Sequence, residues 1–171
     1  MKRSVAVAIF LLLLSAVFLR PGEARRPRSQ GDGGGGRVEW SATDPPVNMS
    51  HIFNGQINKR GKPVGFHSRP GGTNPSTARV VRVLNGPNRA GVYTADVEIR
   101  DGSQWLGKNS TLYPDAMSRE EVIAAVLNAF RSRSGGSGGG ELFRGPSGRG
   151  FTIEGYFQNG RINTAYPIYQ R

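Results

Sequence analysis

The chain has 171 residues and no cysteine, and its 23 lysines and arginines outnumber 12 acidic residues, which gives a formal net charge of +11. The absence of cysteine excludes disulfide scaffolds, thiol nucleophiles and thiolate zinc sites. A hydrophobic content of 36% excludes a multi-pass membrane protein and a coiled coil, and the length favours one domain. The basic balance fits a polyanionic partner, either nucleic acid or an anionic envelope.

Residues 1–24 are predicted to be an export signal. Two cations precede an uncharged apolar run over residues 5–19, which is shorter than the roughly 20 residues of a membrane-spanning helix. The small residues at 22 and 24 fit a signal peptidase site, so we expect cleavage near Ala24 and a secreted protein, extracellular or periplasmic. An uncleaved signal anchor is the alternative, and only in that case would the membrane be a partner.

Residues 25–37 are rich in arginine and glycine and contain no apolar side chain to bury. This composition is typical of a flexible tether. The folded unit is therefore expected over residues 38–171, which is long enough to bury one core without disulfides.

Two strands are predicted in the first half of this unit, over residues 78–84 and 91–99. Both segments are rich in valine and threonine, and residues 92–99 alternate between polar and apolar side chains with a period of two. The sequence Leu-Asn-Gly-Pro at 84–87 supplies the turn between them.

One helix is predicted over Arg119–Arg131. Ser118 followed by Glu121 is the pattern of a capping box, and five apolar side chains of the segment fall on one helical face. The Gly, Ser and Arg residues of 132–150 indicate a mobile loop.

A β-hairpin is predicted at the end of the chain. Residues 151–157 and 161–169 flank Asn159-Gly160, a pair that accepts the positive φ angles of a type I′ turn. Strands with one late helix and no βαβ alternation predict an α+β fold, an antiparallel β-sheet with packed helices that ends in this hairpin.

The two histidines, His51 and His67, suit one kind of chemistry when a lysine accompanies them. In metal-free RNA cleavage a base removes the proton of the ribose 2′-OH while an acid protonates the departing 5′-oxygen. Imidazole serves both roles because its pKa, about 6.5, lies near neutrality. A cation can stabilise the negative charge that develops on the phosphate. DNA lacks the attacking hydroxyl, so such a site is specific for RNA.

Four segments occur in an order that resembles the EndoU family of uridylate-preferring endoribonucleases, and more narrowly its bacterial toxin domains. They are His-Ile-Phe-Asn-Gly at 51–55, Gly-Phe-His at 65–67, Gly-Lys-Asn-Ser-Thr-Leu-Tyr-Pro at 107–114 and Asn-Thr-Ala-Tyr-Pro at 163–167. The resemblance covers roughly residues 51–169. It implies an EndoU-like ribonuclease fold and a product that ends in a 2′,3′-cyclic phosphate.

The resemblance also implies roles for individual residues. His67 would be the general base and His51 the general acid, although these two roles could be reversed. Lys108 would neutralise the phosphate, Tyr166 would stack on ribose or base, and Thr164 would take part in pyrimidine recognition. Four residues close in sequence to His67 or Lys108 are expected to bind substrate, namely Ser68, Arg69, Ser110 and Thr111. No metal or other cofactor is implied.

RNA is the expected partner, and a cognate immunity protein is expected from the resemblance to toxin domains. Two rival functions stay open. One is a basic module that binds nucleic acid or anionic polymer without turnover. The other is a DNase or another phosphodiesterase that uses a divalent ion, for which the sequence shows no carboxylate cluster. Five arginines are further candidates for a groove along the RNA backbone, Arg79, Arg82, Arg144, Arg149 and Arg161.

Overall fold

The computed structural model describes residues 38–133 and 141–171, so the predicted signal of residues 1–24 and the predicted tether of residues 25–37 lie outside the described residues. In chain order the elements are a one-turn π-helix (Ser50–Asn54), β1 (Gln56–Ile57), β2 (Pro63–Val64), a 3₁₀ turn (Pro70–Gly72), β3 (Ala78–Asn85), β4 (Tyr93–Asp101), β5 (Gln104–Leu112), α1 (Arg119–Arg131), β6 (Glu141–Pro146), β7 (Thr152–Gln158) and β8 (Arg161–Pro167).

The strands form three antiparallel sheets in which each strand pairs with its neighbour in sequence. Their orders are β1-β2, β3-β4-β5 and β6-β7-β8. The last two strands make the predicted hairpin, and its turn residues Asn159 and Gly160 have φ angles of 55° and 73°. Both positive angles are those of a type I′ turn. The α+β fold on antiparallel sheet is confirmed.

The sheet β3-β4-β5 encloses a small core. Along β4 the side chains alternate between buried and partly exposed, as the period of two predicts, and Val97 and Ile99 are 1% exposed. These side chains pack against Phe66 and Leu112. The edge strand β3 carries register shifts between Val80 and Arg82 and between Val83 and Asn85, and such bulges discourage pairing with another chain.

Helix α1 covers the second sheet, β6-β7-β8. The Ser118 side chain accepts the backbone N–H of Glu121, and the Glu121 carboxylate accepts the backbone N–H of Ser118, so the predicted capping box is confirmed. The buried face of the helix, with Val126 and Phe130, packs against Phe143 and other side chains of the sheet in the larger core. Among the described residues, no helix has the length and apolar character needed to cross a membrane.

The prediction of one loop over residues 132–150 is wrong for residues 141–146, which form β6. The sequence of this strand, Glu-Leu-Phe-Arg-Gly-Pro, contains glycine and proline and follows a glycine-rich run, so its composition resembles that of a loop. Phe143 is nevertheless buried, and a Cβ on Gly145 would lie 2.1 Å from the carbonyl oxygen of Ala129. Glycine is therefore required at this close approach of the strand backbone to the helix backbone.

Strand β5 was not among the predicted elements. Its inward positions include Lys108 and Ser110 beside Leu112, so an apolar alternation is missing from the sequence. Its place in the sheet comes from nine residue pairs with β4 rather than from an alternation of polar and apolar residues in its own sequence.

Candidate active site

An open cleft of about 400 Å³ lies where β5 of one three-stranded sheet approaches β8 of the other. The segment at β2 closes a third side. The cleft is lined by residues from four separate parts of the chain, His51, Val64, Gly65, His67, Lys108, Asn109, Ser110, Thr111, Thr164 and Tyr166. Seven of these are residues that the sequence analysis singled out.

His51 lies in the one-turn π-helix, where its backbone N–H donates to the side chain of Asn48 at 2.9 Å. Its ring is held by Gln56, whose Oε1 accepts from Nδ1 at 3.1 Å. Because Gln56 occupies Nδ1, the other ring nitrogen is the one free to act on a bound molecule.

His67 is held more tightly. Its backbone N–H donates to the carbonyl of Ile52 and its own carbonyl accepts the N–H of Tyr113, both at 2.7 Å. The ring Nδ1 lies 3.0 Å from the carbonyl oxygen of Thr111 and 3.1 Å from the hydroxyl of Ser110. A carbonyl oxygen can only accept, so Nδ1 carries the proton and Nε2 keeps a free lone pair.

The two histidine segments are joined through their backbones. The N–H of Phe66 donates to the carbonyl of His51 at 2.7 Å, and a Cβ on Gly65 would lie only 2.2 Å from that same oxygen. Gly65 has a φ of 76° and Phe66 a φ of 58°, so the chain turns sharply just before His67. The imidazole rings are brought to a centroid distance of 5.8 Å.

Lys108 projects from β5 into the cleft. Its Nζ donates to the carbonyl of Gly65 at 3.1 Å. Burial lowers the pKa of Lys108 from 10.5 to about 8, so its ammonium group is still charged at neutral pH.

Burial also lowers the pKa of both histidines, since it penalises the charged imidazolium. The pKa of His51 falls from 6.5 to about 4, with the Gln56 hydrogen bond opposing the shift and the charge of Lys108 adding to it. The pKa of His67 falls well below 6.5 through burial, with further lowering by Lys108 and His51. Both rings are therefore neutral at pH 7 in the free protein.

Thr164 and Tyr166 reach the cleft from β8, and their spacing of two residues puts them on one face of the strand, as predicted. The Tyr166 ring lies 5.3 Å from the His67 ring, centroid to centroid. Its hydroxyl donates to the carboxylate of Glu154 on β7, which Arg144 also contacts through Nε at 3.1 Å. This carboxylate raises the pKa of Tyr166 further than burial alone, so the phenol remains a donor.

Two of the predicted substrate-binding residues are not brought to the cleft. Ser68 is 1% exposed, and its hydroxyl has no hydrogen-bond partner within the described residues. Arg69 points into a network in which its guanidinium donates to the Tyr93 hydroxyl at 2.8 Å and pairs with Asp115 at 2.8 Å. Ser110 and Thr111 do line the cleft, but they contact His67 through the Ser110 hydroxyl and the Thr111 carbonyl.

Gln56 and Glu154 were missed by the sequence analysis, although each holds a side chain of the cleft. Glu154 lies opposite Tyr166 only because a register shift between Tyr156 and Phe157 moves the pairing by one residue from the register of the Asn159-Gly160 turn, so the turn alone does not reveal this pair. Nothing in the sequence marks Gln56 as the partner of His51. The described residues contain no group of three or more His, Asp or Glu side chains placed to hold a metal ion.

The protein has an antiparallel α+β fold, and its cleft brings two imidazoles together with one ammonium group. It is therefore a basic protein with a His-His-Lys centre. The chain belongs to the bacterial EndoU nuclease family, whose family model matches residues 47–169. It is also similar to a protein named "Toxin" from Bacillus cereus, with 28% identity over 130 residues. That match covers 71% of this chain and 22% of the relative, and no solved structure matches the chain significantly.

Proposed function

We propose that this nuclease is a secreted endoribonuclease that cleaves RNA by metal-independent transphosphorylation and leaves a 2′,3′-cyclic phosphate. The observation that carries the proposal is the pair of imidazole rings, 5.8 Å apart, beside the Lys108 ammonium group in one open cleft. Two proton-transfer groups and one cation are the parts that cleavage by a ribose 2′-OH requires.

His67 is the general base in this proposal. Thr111 holds the proton on Nδ1, which leaves Nε2 free to take the proton of the 2′-OH. The 2′-oxygen then bonds to phosphorus, and the bond from phosphorus to the 5′-oxygen breaks. The neutral imidazole that the base role needs is the form that burial favours for His67.

His51 is the general acid, and it protonates the departing 5′-oxygen from Nε2. Of the two rings it is the less enclosed, and its Gln56 partner favours the protonated form. A phosphodiester anion in the cleft would favour that form further, because an opposite charge raises the pKa of an imidazole. Lys108 stabilises the charge that develops on the non-bridging oxygens.

Thr164 and Tyr166 contact the nucleotide whose 2′-OH reacts. The Tyr166 ring beside His67 suits stacking on ribose or base, and the Thr164 hydroxyl suits a pyrimidine edge. The preference for uridine rests on the resemblance of the four motifs to uridylate-preferring EndoU enzymes.

A toxin or effector role is supported by the printed name of the Bacillus cereus relative and by the predicted export signal. A cell that makes such an enzyme endangers its own RNA, so we also propose a cognate immunity protein. An acidic surface would suit its contact with a chain of net charge +11.

The proposal is tested by incubating the purified protein in EDTA with two matched oligonucleotides, each with a single uridine. One is all RNA, and the other is identical except for 2′-deoxyuridine at that position. Mass spectrometry should find cleavage 3′ to uridine in the first, with a cyclic phosphate end, and no cleavage of the second. Intact RNA at every enzyme concentration, with retained binding, would favour the non-catalytic module instead.

A further inference from the structure

The loop between β1 and β2 places three cations side by side. We call residues 58–62 the basic loop; its sequence is Asn-Lys-Arg-Gly-Lys. Lys59, Arg60 and Lys62 are all exposed to solvent. The loop is absent from the four motifs that carry the resemblance and from the cleft itself.

The basic loop has a defined conformation. The side-chain oxygen of Asn58 accepts the backbone N–H of Arg60 at 2.9 Å and that of Lys62 at 3.0 Å. The Asn58 N–H donates to the Lys62 carbonyl, and the Gly61 N–H donates to the Asn58 carbonyl, both at 2.9 Å. The turn fixes the backbone positions from which the three side chains extend, so little backbone entropy is lost when these side chains bind a ligand.

The short strands on either side of the loop lead to the active site. Gln56, which holds the His51 ring, pairs in register with Val64, which lines the cleft. The next residue, Gly65, accepts the Nζ hydrogen bond of Lys108. Lys62 is two residues from Val64, and at about 3.3 Å per residue its Cα lies about 7 Å along the chain from the cleft wall.

The charges of the basic loop are not neutralised by the described part of the protein. Four of the arginines that the sequence analysis proposed for a groove instead form ion pairs, Arg79, Arg82, Arg144 and Arg149. None of the ion pairs within residues 38–133 and 141–171 uses the basic loop. Three like charges in four positions repel one another, and a polyanion relieves that repulsion.

We propose that the basic loop is a phosphate-binding arm that grips the RNA backbone outside the cleaved linkage. This inference rests on the proposed function, because it assigns the flanking nucleotides of the same substrate. The arm contacts phosphates and no base, so it increases the affinity for long RNA of any sequence. A substrate with only the cleaved phosphate does not reach it.

The test compares two substrates, a dinucleotide with one phosphodiester and a 12-mer RNA with one uridine, over a range of salt concentrations. The variant is Lys59→Gln/Arg60→Gln/Lys62→Gln. Its matched control, Arg89→Gln/Arg131→Gln/Arg171→Gln, removes the same charge from exposed positions outside the cleft. Thermal unfolding and circular dichroism check that both variants fold.

For the 12-mer, we expect the slope of log kcat/KM against log salt to become less negative by about 2 in the loop variant, since each lost phosphate contact contributes about 0.7. The control should keep the wild-type slope. Both variants should cleave the dinucleotide as the wild type does. Equal slopes in the loop variant and the control would overturn the proposal.

Binding separates this inference from the proposed function. Fluorescence anisotropy with a 12-mer that carries 2′-deoxyuridine reports the salt slope of binding whether or not the wild type cleaves RNA. If the loop variant has a less negative salt slope of binding than the wild type, and the wild type does not cleave RNA, the arm is supported and the ribonuclease proposal is contradicted. If the loop variant has the same salt slope as the wild type, and the wild type cleaves RNA, only the arm is contradicted.

Discussion

The two three-stranded sheets meet at the cleft, but they contribute to it differently. The sheet β3-β4-β5 supplies Lys108 and, through Ser110 and the Thr111 carbonyl, two contacts to the ring of His67. The sheet β6-β7-β8 supplies Thr164 and Tyr166 as side chains, and Tyr166 is held by a carboxylate that Arg144 also contacts.

This difference separates two tasks. Groups that exchange protons or stabilise charge need a fixed geometry and a controlled pKa, and the first sheet provides both by burial. Groups that contact a nucleotide need less exact placement, because they take no part in proton transfer. We therefore expect changes around the first sheet to lower kcat and changes on the second sheet to raise KM.

The largest expected effect comes from the histidines themselves. Replacing either His51 or His67 by alanine should lower kcat by about 10²- to 10⁴-fold, the usual contribution of general acid–base catalysis. His67→Gln retains an N–H that can donate to the Thr111 carbonyl, so its fold should be kept while the base is lost. Single-turnover cleavage of the 12-mer measures the effect. Near wild-type turnover in any of these variants, with an intact circular dichroism spectrum, would contradict the assignment.

Lys108→Gln should lower kcat by about 10²- to 10³-fold, as the loss of a preorganised donor to a developing charge does. The same change removes a charge that lowers the pKa of both histidines, so the pH profile should move to higher pH. Arg89→Gln removes one charge elsewhere and is the control. A rise in KM with unchanged kcat would show that Lys108 only binds the substrate.

The pH dependence of kcat/KM follows from the free protein, in which burial sets the pKa of His51 at about 4. Above that pH the protonated fraction of the acid falls, so kcat/KM should decrease about tenfold per pH unit. The decrease should steepen above pH 8, where Lys108, with its pKa of about 8, loses its charge. Initial rates from pH 5 to 9 test this, and a flat profile of kcat/KM between pH 5 and 7 would contradict an acid with a pKa of about 4.

The smallest effect concerns the second sheet. Glu154→Gln weakens the hydrogen bond to the Tyr166 hydroxyl. We expect KM to rise several-fold, which corresponds to the loss of about 1 kcal/mol for one hydrogen bond, while kcat stays unchanged. Glu98→Gln is the matched control, because Glu98 pairs with Arg79 at 2.6 Å on the other sheet. Steady-state kinetics separate the two constants. A fall in kcat at constant KM would place Tyr166 with the chemistry.

The sequence predicts the elements whose pattern is local. The period of two in β4, the capping box of α1 and the Asn159-Gly160 turn each depend on a few neighbouring residues, and all three are confirmed. Strands β5 and β6 escape prediction because their positions are fixed by pairing and by close packing of Gly145 on the helix.

The cleft shows the same limit. The residues His51, His67, Lys108, Thr164 and Tyr166 were chosen from motif order, and the structure brings them together. Ser68 and Arg69 were chosen because they follow His67, but successive residues of an extended segment point in different directions. The contacts of Gln56 with His51 and of Glu154 with Tyr166 depend on strand register and on the conformation of a turn. Neither of these can be predicted from the residue types in the sequence.

The bond between the two histidine segments has a consequence for the order of folding. The backbone N–H of Phe66 donates to the carbonyl of His51, and the N–H of Tyr113 donates to the carbonyl of His67, so the two histidines come together only after separate parts of the chain have closed on one another. Tyr166 joins them from β8, the last of the described strands. The cleft therefore depends on long-range contacts, which form late in folding, and a partly folded chain holds no assembled cleft.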